Sequence, residues 1–413
     1  MTDETRRNDG RSRTRIVLDV DTGIDDTLAL AYLLASPEAD LLGVIGVYGN
    51  VTAETAVRNN RDVLRLFGRP DVPVMHGMPR PLWADCFEVD EGCARFHGAN
   101  GLGNVDPAEC MGDAVSAGAD AGGSGETVDA APGEVAGGMP ASGHRTLTGS
   151  AEPVLPGEGV HTFAARGRVK SVGGYRAEGE AELEEVVAAE RAVRRAETEG
   201  VKFIVDAVRR YGREVTILAT GPLTDVAAAI EAAPDIVDSL RVVMMGGALT
   251  QEGNCYDLVC ETNIIQDPEA ANRVFRSGAD VTMIGLDVTH QCLLTRADAQ
   301  TWRDTGTARG RFLADMVEFY INANEDADPM FLAGSPLHDP LAAAVALDPT
   351  LVTCFDINMM VETRTGDGHG FRGRAIGDPT RLRSPRKTAH VALGVDAGRF
   401  VPQFRDRVVS ICR

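Results

Sequence analysis

RIVLDVDTGIDDTLALAYLLA, residues 15–35, is the stretch whose reading decides the fold. Its first six residues, RIVLDV, carry a run of apolar β-formers and read as a buried strand. DDTLALAYLLA (25–35) reads as a helix whose acidic first turn suits the macrodipole. Between the two, Asp19, Asp21, Asp25 and Asp26 place four like charges within eight positions. Merely decorative aspartates would repel one another there, so the turn needs something that holds negative charge together.

The same rhythm continues outward. ADLLGVIGVYGN (39–50) reads as a second strand ending in Gly49-Asn50, followed by a helix at about 52–67 and a short strand, VPVMHG (72–77). This βαβαβ order predicts an α/β fold with an open, mostly parallel, doubly wound sheet covered by helices on both faces. Later segments repeat it: strands at 214–220, 240–247 and 280–288, and helices at 222–233 and 268–278. Helices near 309–323 and 339–347 follow, then late strands in LVTCFDINMMVE and KTAHVALGV, and a closing helix at 396–410. No internal repeat is present.

The rhythm breaks after FHGANGLGNVDP (96–107). Residues 111–140 hold eight Gly and seven Ala, half of the window. Such composition does not offset its ordering entropy and reads as disordered or loosely attached. The expected organisation is therefore a flexible tail at 1–14 and a single catalytic domain at 15–413, interrupted by an insertion at about 108–180. A charged helical stretch, 180–212, leads back into the domain.

The chain has 413 residues, 44% of them hydrophobic and 25% charged, with a net charge of -20. That balance argues against broad electrostatic binding to nucleic acid or anionic membrane and leaves neutral small molecules and metal cations as ligands. The eight cysteines form no CxxC pair, so neither a disulfide framework nor a zinc site is expected. The N-terminus lacks an apolar signal-peptide core and no apolar run is long enough for a bilayer, so a cytoplasmic protein is expected.

Polar residues collect where strands end: Asp21, Asp25, Asp26, Asn50, Thr220, Asn254 and the pair His338-Asp339. In doubly wound sheets the ligand lies outside the carboxyl ends of the strands, so these segments should converge on one pocket. A carboxylate cluster without a basic neighbour suits a hard cation such as Ca²⁺ or Mg²⁺. The blander account has Asp25 and Asp26 capping the helix and Asp19 bonding locally.

In these motifs the sequence resembles the inosine–uridine-preferring nucleoside hydrolases. DVDTGIDD (19–26) looks like the family's N-terminal signature, with Thr22 where Pro is usual. VYGN carries Asn50, HGANGLG (97–103) matches an HGxxGLG segment, and ATGPLTD, GGALTQEGN…CETN and HDP (338–340) follow in the right order. The resemblance spans roughly 15–110 and 200–410. It implies Ca²⁺ held by Asp21, Asp26, Asp339 and the Thr220 carbonyl, with a water and the ribose 2′- and 3′-hydroxyls completing the shell. It implies that Asp25 and Asn50 hold the ribose diol beside Asn263, that Asn254 and Glu261 bind the 5′-hydroxyl, and that His338 and His97 lie near the base.

The implied reaction is calcium-dependent hydrolysis of purine or pyrimidine ribonucleosides to free base and ribose, with metal-bound water as nucleophile. Asp21 is the implied general base, His338 the donor to the base, and the transition state oxocarbenium-like. A homodimer or tetramer with a role in nucleoside salvage is also implied. HDP resembles members that accept both base classes, and only Trp83 and Trp302 are present to sandwich a purine.

Two departures stand out. Six residues (CYDLVC) separate Asn254 from Glu261, one more than the family's pattern, and the insertion follows the segment containing His97. Two alternatives compete. A non-catalytic nucleoside or ribose sensor fits those departures. A Mg²⁺-dependent phosphohydrolase of the haloacid-dehalogenase kind fits Asp19-Val-Asp21, although Gly23 stands where that motif wants Thr or Val. His76, His144, His161, His290, His369 and His390 read as structural or exposed, Cys255 and Cys260 as pocket-wall packing, and Gly246-Gly247 as close backbone packing.

Overall fold

The computed structural model describes residues 13–110, 198–255, 258–365 and 370–413. The tail at 1–12, the insertion and the first part of the charged helical stretch lie outside the described residues. Thr14, assigned to the tail from sequence, opens the first strand.

β1 (Thr14–Val20), α1 (Ile24–Ala35), β2 (Ala39–Gly46), α2 (Ala53–Leu66) and β3 (Val74–His76) form the opening βαβαβ unit. After α3 (Glu91–His97), the chain re-enters through α4 (Glu199–Tyr211), β4 (Val215–Ala219), α5 (Thr224–Ala232) and β5 (Arg241–Met245). α6 (Thr262–Gln266), α7 (Pro268–Ser277), β6 (Asp280–Ile284) and α8 (Leu286–Thr289) come next. The tail end holds β7 (Leu293–Leu294), α9 (Arg296–Arg303), α10 (Ala308–Ala327), β8 (Ser335–Pro336), α11 (His338–Leu347) and β9 (Val352–Ile357). β10 (Met359–Val361), β11 (Ala375–Gly377), β12 (Ala389–Val395) and α12 (Ala397–Cys412) complete it.

The main sheet has eight strands in the order β3-β2-β1-β4-β5-β6-β12-β9. Every pair is parallel except β12 with β9, which form an antiparallel edge. Strands on both sides of residues 111–197 thus join one sheet. β1 shows why: Ile16, Leu18 and Val20 feed one apolar core with Leu28, Trp302 and Phe404, while Val17 feeds the other with Ile217, Val226 and Phe275. Alternating side chains of a strand buried on both faces require helices on both sides.

The sheet order reverses at β1, which has β2 on one flank and β4 on the other. The carboxyl ends of β1 and β4 therefore open a crevice, and the turns that follow them carry Asp21 and Thr220. Local capping fixes the helices around it: Thr52 caps α2 through Thr55 N and Thr198 caps α4 through Val201 N.

Three sequence expectations shift. The second strand stops at Gly46, leaving Val47–Asn50 as the loop to the site, and the third is confined to 74–76. The strand expected over 280–288 ends at Ile284, and 286–289 is helical. A Cβ at Gly285 would lie 2.5 Å from the Gly247 carbonyl oxygen, so the chain turns there in close backbone contact. All eight cysteines are free thiols. Among the described residues no helix is long and apolar enough to cross a membrane.

Candidate functional site

The first turn of α1 brings Asp25 and Asp26 to the crevice, and the first turn of α11 brings Asp339. One oxygen from each of the three lies within 4.8 Å of the others, and all three residues are buried. Asp21, also buried, stands beside them. Its Oδ2 accepts from Asn50 N at 2.7 Å and its Oδ1 from Asn50 Nδ2 at 3.2 Å. Gly49, at φ +155°, permits this approach, since a Cβ there would fall 2.0 Å from Asp21 Oδ2. Thr22 is held at φ +27°, a left-handed conformation that strains a β-branched residue in the turn between Asp21 and Asp25.

Hydrogen bonds tie the cluster together from distant segments. Thr220 Oγ1 donates to Asp26 Oδ1 at 2.6 Å, and Gly23 N donates to Asp26 Oδ2 at 2.7 Å. Asn263 Nδ2 donates to the Thr220 carbonyl oxygen at 2.6 Å, so that acceptor faces the site through an amide. Burial raises Asp21 and Asp339 well above the usual carboxylate range, and like-charge neighbours add to it. Burial likewise pushes Asp25 and Asp26 up to about 6.

Two observations fit these residues to a cation. Among the described residues none of the four carboxylates pairs with Lys or Arg; the one ionic neighbour is His97, 3.7 Å from Asp25 Oδ1. That His97 Nδ1 accepts from Ile24 N at 3.1 Å, so it carries no proton to offer, and Asp25 Oδ1 is left buried without a partner. Hard, anionic oxygens left short of donors suit a hard metal cation.

Asp25 and Asp339 line a cavity of about 490 Å³, together with Asn50 and Thr220, which hydrogen-bond Asp21 and Asp26. His338 lines it with Nδ1 bonded to Thr289 Oγ1 at 2.8 Å, which fixes the ring and leaves Nε2 for the cavity. Burial holds His338 well below the ordinary histidine value. His97 stacks on Tyr320 with centroids 5.5 Å apart, and burial lowers it to about 4. His97 thus sits at the start of α1 as an acceptor as well as on the cavity wall.

Asn254, Glu261 and Asn263 also line the cavity. Asn254 Oδ1 accepts from Thr262 N and Oγ1 at 3.0 and 3.1 Å. Glu261 caps α6, its Oε1 accepting from Asn263 N at 3.0 Å and its Oε2 from Gly247 N at 2.9 Å and Ile264 N at 3.2 Å. The extra residue between Asn254 and Glu261 leaves both on this wall. Every site residue taken from sequence is therefore in one place.

The sequence reading missed other lining residues. Tyr320 and Asn324 come from α10, Arg95 and Phe96 from α3, and His290 and Phe331 from short turns. The signal for His290 was its place in DVTH after a strand, which looked like continuing strand. Cys255 lines the cavity, whereas Trp83 and Trp302 do not.

Comparison with known proteins agrees with this geometry. The profile of the family described as inosine-uridine preferring nucleoside hydrolase matches residues 16–402. The chain is 29% identical over 394 residues to the pyrimidine-specific ribonucleoside hydrolase RihA of Salmonella paratyphi B, covering 95% of this chain and 97% of the relative. A solved purine-preferring ribonucleoside hydrolase from Gardnerella vaginalis is similar at 40% identity with a TM-score of 0.70, covering 96% of this chain and 99% of that one. The plant nucleoside hydrolase PpNRh1 is similar at 25% identity and a TM-score of 0.68, over 96% and 99% of the two chains. The chain belongs to the inosine-uridine preferring nucleoside hydrolase family and is an N-glycosyl hydrolase of ribonucleosides.

Proposed function

We propose that the protein hydrolyses the N-glycosidic bond of purine and pyrimidine ribonucleosides in a calcium-dependent reaction, releasing free base and ribose. The observation that carries this reading is the buried cluster of Asp25, Asp26 and Asp339, with Asp21 beside it, opening on a cavity lined by imidazoles. Relatives named for opposite base preferences support a substrate range that includes both classes.

Asp21, Asp26, Asp339 and the Thr220 carbonyl are the residues to hold the ion. A bound calcium ion supplies positive charge that offsets the carboxylates' repulsion, orients a sugar diol and acidifies a water. The residues do the rest. Asp25 and Asn50, with Asn263 adjacent, grip the 2′- and 3′-hydroxyls, and Asn254 and Glu261 the 5′-hydroxyl. As the C1′–N bond stretches, positive charge builds on the ribose, and the carboxylate floor stabilises it. Asp21 accepts a proton from the attacking water at a carboxylate oxygen. His338, kept neutral by burial and oriented by Thr289, donates a hydrogen bond from Nε2–H to the departing base and keeps its proton.

The test is ribose release from inosine, uridine, cytidine and adenosine, with and without a calcium chelator, beside Asp21→Ala. Chelator-sensitive release that Asp21→Ala abolishes is the expected result. No release from any of the four, with calcium bound, would sink the proposal.

A further inference from the structure

His290 follows α8, one residue beyond the threonine that orients His338. Its ring packs edge-on against His338, with centroids 5.6 Å apart and planes at 62°, and against Phe331 at 5.3 Å and 79°. A chain of contacts therefore leads outward from the carboxylates: Asp339, then His338, then His290, then Phe331. His290 lines the same cavity and is only partly buried.

Its two nitrogens differ. Nδ1 is buried and has no hydrogen-bond partner. A proton placed there would be a buried donor without an acceptor, which costs more than a lone pair, so the ring carries its proton on Nε2. Nε2 has no partner among the described residues and is not among the buried atoms lacking one, so it keeps access to the cavity. Burial lowers the affinity of the ring for a second proton, which keeps it a neutral donor near pH 7.

We propose that His290 is a base-recognition residue whose Nε2–H donates to a carbonyl oxygen or ring nitrogen of the departing nucleobase. When the C1′–N bond breaks, the electron pair leaves with the base and spreads onto those acceptor atoms. A donor aimed there is worth more in the transition state than in the ground state. His290 keeps its proton throughout and lends a hydrogen bond. The inference rests on the nucleoside-cleaving reading of the cavity.

Two variants separate recognition from packing. His290→Phe keeps an aromatic ring against Phe331 and His338 but has no donor, and His290→Gln places an amide N–H near the position of Nε2. Each is compared with wild type in kcat/KM on inosine and uridine, and on 4-nitrophenyl β-D-ribofuranoside, whose leaving group departs without a donor. The expected result for His290→Phe is a loss of about tenfold or more on the nucleosides, a change within about twofold on the nitrophenyl riboside, and partial recovery in His290→Gln. Equal losses on both substrate types mean that the ring only packs, and unchanged nucleoside rates mean that it recognises nothing; either overturns the inference alone. A wild-type protein that cleaves neither substrate type overturns the reading of the site and the inference with it.

Discussion

Thr220 Oγ1 donates to Asp26 Oδ1 at 2.6 Å, joining the end of β4 to the start of α1 across 194 positions of sequence. Thr220→Val keeps the shape and deletes the donor, leaving buried Asp26 Oδ1 short of a partner. A loss of about 1–3 kcal/mol in unfolding free energy is expected, read from urea midpoints without calcium. The calcium concentration needed for half-maximal activity is expected to rise as well, because Asp26 loses the contact that aims it.

The metal-free protein is expected to lose stability as pH rises. Burial pushes Asp25 and Asp26 up to about 6, against about 3.9 for an unfolded aspartate. A carboxyl with a raised folded-state value holds its proton more tightly when native. The stabilisation is therefore present below about pH 4 and disappears as pH climbs through about 6. Calorimetry in a chelator should show a falling melting temperature across that window, with a shallower fall in Asp26→Asn. A melting temperature that rises there in both proteins would contradict the assignment.

Saturating calcium should remove that penalty. At about a hundredfold excess over Kd, a ligand bound only by the native state adds about 2.7 kcal/mol. Asp339→Asn is expected to lose this calcium-induced shift yet to melt no lower than wild type in chelator, since it deletes a like charge from a buried cluster. Thermal shift with calcium and magnesium in parallel checks both halves.

At the sheet edge the sign reverses. His390 Nδ1 bonds Asp356 Oδ1 at 2.6 Å and Nε2 lies 3.3 Å from Asp280 Oδ1, bridging β12 to β9 and β6. The bond to Asp280, with the one to Asp356, pushes His390 up to about 9. This contribution is complete below about pH 6.5 and is lost as pH rises through about 9. With 34% of the side chain exposed, solvent screening limits it to about 1 kcal/mol. His390→Gln should cost that much at pH 6.5 and close to nothing at pH 10 in urea titrations.

Asp287 governs the wall that carries Asn254. Its carboxylate accepts from Leu249 N at 2.9 Å and from Thr250 N and Gln251 N at 2.8 and 3.1 Å, with the Thr250 hydroxyl as a fourth donor. Asp287→Ala frees this loop. The expected outcome is a drop of about tenfold or more in kcat/KM on a ribonucleoside and a much smaller one on its 5′-deoxy analogue. Equal drops on both would mean that the loop does not serve the 5′-hydroxyl.

The opening strand, turn and helix were legible because RIVLDV feeds both cores by strict alternation and the aspartates sit where a strand ends. The carboxylates, Asn50, Thr220 and His338 were legible for the same reason: motif and strand end coincide. The end of β6 was not, because GLDV continues an apolar strand pattern and only the approach of Gly285 to the Gly247 backbone turns the chain. The short helices α3, α6 and α8 have too few turns to show a period. His290 was passed over because its neighbours His338 and Phe331 arrive from a separate part of the chain.

The position of β1 between β2 and β4 has a consequence for how the molecule is made on the ribosome. When synthesis has passed α3, the nascent chain holds Asp21, Asp25, Asp26 and Asn50, but the second edge of β1 still waits for residues 215–219. That unpaired parallel edge stays exposed until β4 emerges, which favours slow closure and invites pairing with other chains. Asp339 emerges later still. Three acidic groups are thus synthesised long before their last partner, and the carboxylate nest is completed only once most of the chain has been translated.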